Sequence, residues 1–63
     1  MIRELDMYEM RRVSISKEVY KDNYWHIWKV YNGYIVSNED GDRLFTKNKV
    51  EAFNYVSKRQ FKD

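Results

Sequence analysis

A chain of 63 residues with no cysteine is one small domain whose apolar core must hold it together, without disulfide staples, Cys-based zinc sites or a thiol nucleophile. Its composition, 43% hydrophobic, 17% aromatic and 35% charged, is too apolar for a disordered tail and too charged for a membrane span. The net charge of +2 names no partner, and six Tyr, three Phe and two Trp are the unusual figure, to be divided between core and surface.

The opening stretch, residues 1–12, spaces Ile2, Leu5, Tyr8 and Met10 in a way that suits a short helix or an extended arm. It carries no long apolar run ahead of small residues, so no secretory signal is expected and a cytoplasmic location is the default. Over residues 13–20, Val13-Ser-Ile-Ser-Lys-Glu-Val-Tyr20 mostly alternates apolar with polar and predicts a strand, followed by turn residues Lys21-Asp22-Asn23. Asn32-Gly33 then separates two β-favouring runs, 25–31 and 34–37, and a two-residue Asn-Gly link of this kind predicts a hairpin. Asn38-Glu39-Asp40-Gly41 suits a type I turn closed by a left-handed glycine, leading into a short strand over 43–47. Asn48 and Glu51 have capping-box spacing; Val50, Ala52, Phe53 and Val56 follow as an apolar stripe, and Lys58, Arg59 and Lys62 fall where a helix dipole favours cations. The expected architecture is a single α+β domain. An amino-terminal segment (1–12, a short helix being one option) precedes an antiparallel meander of three to four strands (13–47), and a helix (48–61) lies on one sheet face.

The period of two assigns the side chains to faces. The Asn-Gly turn sets Tyr31 opposite Tyr34, Val30 opposite Ile35, Lys29 opposite Val36 and Trp28 opposite Ser37, and the next turn sets Val36 against Leu44 and Ile35 against Phe45. A loop at 21–23 puts Val19 opposite Trp25. The helix is expected over the face holding Ile15, Val19, Trp25, Ile27, Tyr31, Tyr34, Val36 and Leu44. The opposite face carries Tyr20, His26 and Arg43 around a patch of Trp28, Val30, Ile35 and Phe45, which is more apolar than a solvated sheet face should be. That patch needs a cover. Either the amino-terminal segment docks Ile2, Leu5, Tyr8 or Met10 on it, or it is a contact surface for a second copy or another protein.

No catalytic set is apparent. His26 is the lone histidine, no nucleophile motif surrounds any serine, and no cofactor loop can be built from Gly33 and Gly41. Glu39-Asp40-Gly41-Asp42 has the look of a calcium loop, but with Gly41 at its sixth position the twelfth is Lys47 and the first is Val36, so no metal is expected.

From Tyr24 onward the order Trp25-x-Ile27, Trp28-x-Val30, a glycine turn, a second turn, and Phe45-Thr46-Lys47 running toward Glu51-Ala52 resembles the three-strand-plus-helix DNA-binding modules at the amino end of phage and transposon integrases. It is also similar to small bacterial domains of unknown function. In the integrase modules the strands meet the major groove, which here implicates Lys29, Arg43 and Lys47. The Lys-, Asn- and Tyr-rich composition resembles that of small proteins from AT-rich phages or low-GC bacteria, which would place the chain in a bacterial cytoplasm, that of the host if it is phage-encoded. The expected function is that of a small non-catalytic interaction protein, which regulates or inhibits a protein partner through Tyr20, His26, Trp28, Val30, Ile35 and Phe45 or through an edge strand. Self-association into a homodimer is one form of this. The alternative is a nucleic-acid-binding module using Lys29, Arg43 and Lys47.

Overall fold

In the computed structural model, residues 2–60 are described. The elements in chain order are β1 (Arg3–Glu4), α1 (Met7–Arg12), β2 (Ile15–Lys21), β3 (Trp25–Val30), β4 (Gly33–Asn38), β5 (Arg43–Thr46) and α2 (Lys49–Gln60). The five strands form one antiparallel sheet in the order β1-β5-β4-β3-β2. This is an α+β fold with α2 lying on one face of the sheet. Phe61, the last residue of the expected helix, and Lys62, expected beside its carboxy-terminal end, lie outside the described residues. Among the described residues no helix is long and apolar enough to cross a membrane.

The meander from β2 to β5 follows the expected order, and the second turn has the expected register, with Val36 opposite Leu44 and Ile35 opposite Phe45. Asn38 makes that turn. Its side-chain oxygen accepts the Asp40 amide at 2.9 Å and the Asp42 amide at 3.1 Å, while Gly41 takes the left-handed conformation at φ 96°.

The first hairpin differs from expectation by one residue in each strand. Val30 pairs with Gly33 and Trp28 with Ile35, so Tyr31 and Asn32 form the link and Gly33 is the first residue of β4. No residue of this turn has a positive φ, so it is not the mirror-image turn that Asn-Gly predicts. The reason lies on β5. A Cβ on Gly33 would stand 2.5 Å from the Thr46 carbonyl oxygen and 2.9 Å from the Phe45 ring, so the glycine is needed for close approach within the sheet. Tyr31, expected in the core, is 89% exposed at the hairpin tip. Because both strands shift together, the alternation keeps Trp28, Val30 and Ile35 on one face and Ile27 and Val36 on the other.

β2 departs further. Two register shifts, between Ile15 and Lys17 and between Glu18 and Tyr20, replace the expected Val19–Trp25 pairing with Tyr20 opposite Ile27. Ile15 therefore leaves the helix-covered face and is 49% exposed. Tyr20 turns to the helix side, where its ring meets Phe53 edge-on at 6.0 Å. Asp22 fastens the turn that follows, accepting the Trp25 amide at 2.6 Å and the Tyr24 amide at 2.7 Å.

Two cores result, one on each face. Beneath α2, Ala52 and Val56 pack on Trp25, Ile27 and Val36, with Ile2, Tyr34, Leu44 and Tyr55 at the margin. Each large side chain buried there contributes about 1.5–3 kcal/mol, and the edge-on contact of Trp25 with Tyr55 at 5.7 Å adds about 0.5–1.5 kcal/mol. Val50, expected in the apolar stripe, is 64% exposed on the far side of the helix. Asn48 caps α2 as expected, its side-chain oxygen accepting the Val50 amide at 2.8 Å and the Glu51 amide at 3.2 Å. The capping box is relayed, because Glu51 accepts the hydroxyl of buried Thr46 and that hydroxyl oxygen accepts the Asn48 amide at 3.2 Å.

The second core is Leu5, Val30 and Ile35, flanked by Val13, Trp28 and Phe45. Leu5 reaches it because the amino-terminal segment begins as a strand. Arg3 pairs with Phe45 and Glu4 with Leu44, and the Leu5 amide donates to the Arg43 carbonyl at 2.9 Å. Alternation sends Ile2 toward the α2 core and Leu5 to the opposite face. Of the expected docking residues, Leu5 alone covers that patch among those described: Tyr8 is exposed, and the side chain of Met10 lies outside the description.

Candidate functional site

The face away from α2 divides into a covered half and an open half. Leu5 and Val13 lie over Val30 and Ile35, which are 1% and 0% exposed. Neither Val30 nor Ile35 is available to a partner, which corrects their place in the expected contact surface. The cause is that the chain supplies its own cover. Tyr20 is corrected as well, since the β2 shift puts it against Phe53 on the other side of the sheet. Phe45 is half-buried under the Arg3 guanidinium, which lies 5.6 Å from its ring centre.

His26 and Trp28 remain on the open half, two residues apart on β3, with their rings stacked at 6.0 Å and 21°. The Trp28 indole N–H donates to the Ser37 hydroxyl oxygen at 3.0 Å, which fixes the ring orientation. Cross-strand pairing places Glu18 beside Trp28, Lys21 beside His26, and Ser37 between His26 and Arg43.

His26 is the electrostatic centre of this surface. Its Nδ1 lies 2.9 Å from Glu18 Oε2 and its Nε2 lies 2.7 Å from Glu39 Oε2. A neutral imidazole has one N–H and can satisfy only one carboxylate, so two such contacts belong to the imidazolium. Hydrogen bonding to Glu39 first and Glu18 second raises the His26 pKa above its ordinary 6.5. Sequence reasoning identified His26 but not its partners, because Glu18 and Glu39 are 8 and 13 residues away and meet it only across strands. Although Ser37 is opposite His26, the pair is no nucleophile and base: both ring nitrogens face carboxylates, and the hydroxyl accepts from Trp28.

The three residues of the nucleic-acid alternative do not share one face of the sheet. Lys29 lies opposite Tyr34 on the α2 side, Arg43 opposite Ser37 on the other face, and Lys47 follows the far end of β5. Among the described residues no group of three or more His, Cys, Asp or Glu is arranged to hold a metal ion. No protein-family model, curated protein or solved structure matches the chain.

Proposed function

We propose that the protein is a non-catalytic binding module that regulates a protein partner through the open half of its outer sheet face, with Trp28 as the anchor. The observation that carries this reading is a partly exposed indole, held by Ser37 and stacked on His26, at the open margin of the Leu5 core. A fixed aromatic ring loses little freedom on binding, and Trp, Tyr and Arg are the usual anchors of interfaces. Lys21, Arg43, Glu18 and Glu39 supply a polar rim of both charge signs around it, the composition that selects a complementary protein surface.

Capture from a bacterial host lysate on the immobilised protein, compared with Trp28→Gln and with the rim variant Arg43→Glu, tests this. The wild type should retain a discrete protein that both variants lose by tenfold or more, with their thermal transitions intact. Retention unchanged in both variants would overturn the assignment. Sedimentation of the wild type identifies a second copy as the partner if the mass doubles and that doubling is lost in Arg43→Glu.

A further inference from the structure

Strand direction sorts charge along the sheet. One end carries the turns after β2 and β4, with Asp22, Glu39, Asp40 and Asp42. The other end carries the β3–β4 hairpin tip, the start of β2 and the junction of β5 with α2, and its cations are Arg12, Lys17, Lys29, Lys47 and Lys49, against Glu51 in the first turn of α2 and Glu9, which shares a groove with Arg12 and Tyr31. Two of these lysines oppose each other directly, Lys17 on β2 and Lys29 on β3. Like charges in that position destabilise a sheet.

The described ion pairs are Arg3 with Glu9 and His26 with Glu18 and Glu39. None of the five basic-end cations therefore has a carboxylate partner within 4.0 Å among the described residues. The Lys29 ammonium donates to the Val30 carbonyl oxygen at 3.5 Å and is 5.0 Å from the centre of the Tyr34 ring, and the Lys49 ammonium is 5.9 Å from that of Phe53. Glu51, the acid in the first turn of α2, accepts the Thr46 hydroxyl. At the same end Tyr31 stands almost wholly in solvent, its amide held by the Ser14 carbonyl at 3.2 Å.

We infer that this basic end is a second binding surface, distinct from the Trp28 face, and that it takes the phosphate backbone of single-stranded nucleic acid with Tyr31 as a stacking platform. Cations without carboxylate partners at the same end of the sheet as an exposed ring, with Arg12 in one groove with Tyr31, match a chain that alternates phosphates with bases. An acidic segment of Asp and Glu would meet the cations but brings no flat ring to stack on Tyr31.

Anisotropy of a fluorescein-labelled single-stranded oligonucleotide of mixed sequence, titrated with the full chain at several salt concentrations, tests the inference. Each neutralised phosphate contributes about 0.7 to the log–log salt slope, so a slope of about −2 to −3 is expected. Lys17→Glu places a carboxylate opposite Lys29. It should raise the thermal midpoint while weakening binding about tenfold at low salt, so lost binding cannot be assigned to unfolding. Tyr31→Ser should weaken binding about fivefold or more with the slope unchanged. Lys58→Glu, toward the other end of α2, should leave binding as it is. Absence of binding at the lowest salt, undiminished binding by Lys17→Glu, or binding of polyglutamate in place of the oligonucleotide would each overturn the inference.

Discussion

Gly33 shows how one residue decides a register. Asn32-Gly33 carries the signal for a mirror-image turn, in which Gly33 would occupy a left-handed position. It is spent instead on close approach, because the Phe45 ring and the Thr46 carbonyl occupy the space a side chain would need. The hairpin therefore turns one residue earlier, and Tyr31 is carried out of the core. Gly41 is glycine for the other reason, its φ of 96° in open surroundings. Gly33→Ala must push apart β4 and β5 at a backbone carbonyl, which cannot rotate away as a side chain would. It should destabilise the protein by about 1–3 kcal/mol, seen as a lower urea midpoint with little change in slope. An unchanged midpoint would mean that Gly33 is not pressed against β5 and would restore the Asn-Gly link.

At the scale of elements, what was legible is what repeats. β3 and β4 are β-favouring runs on either side of Asn32-Gly33, the Asn38–Gly41 turn has its residues at the required places, and α2 has a cap at one end and cations at the other, so the meander and its covering helix could be read directly. β1 has two residues, too few for any period to show. Its existence follows only from the free edge of β5 and the apolar patch that Leu5 fills. The register shifts of β2 were hidden for a different reason: a bulge is chosen by what each face must pack, and residues 14–20 contain no glycine or other residue that marks one. Among the site residues, His26 and Trp28 stood where expected, while Val30 and Ile35 were on the right face but under a cover that local pattern could not assign. That cover is the short segment around Leu5, and its value is measurable. Leu5→Ala should cost about 2–3 kcal/mol, the lower part of the range for a buried leucine because Leu5 sits at the margin of its core at 9% exposure. Hydrogen exchange should then quicken at the Leu5 amide, which bonds to Arg43, and leave the amides of Ala52 and Val56 protected. Equal loss of protection on both faces would show that the two cores melt as one.

For the whole molecule, the two cores are joined by polar groups whose protonation sets a window of stability. On the acid side, Asp22 is held below its ordinary 3.8, first by the Trp25 amide and then by the Tyr20 hydroxyl and the Tyr24 amide, and Glu51 is held below its ordinary 4.5 by the Thr46 hydroxyl. Groups with depressed pKa contribute stability that is present above their ordinary values and lost as pH falls through the folded ones. The β2–β3 turn and the start of α2 should therefore loosen together in acid. On the other side, His26 has a raised pKa, so its contribution is complete below 6.5 and lost as pH rises through the folded value, when Glu18 and Glu39 are left sharing one N–H. Tyr24 does not confuse this limb. Its hydroxyl, donated to Asp40, has a pKa raised to about 12 and stays protonated throughout. The thermal midpoint should hold level just below about pH 6.5 and decline above it, as pH rises through the raised His26 value, in the wild type. His26→Gln should lie lower at pH 6 and show no such decline. If the wild type and His26→Gln fall in parallel, the imidazolium does not bind β2 to the β4–β5 turn, and the open face is held by the Trp28–Ser37 hydrogen bond alone.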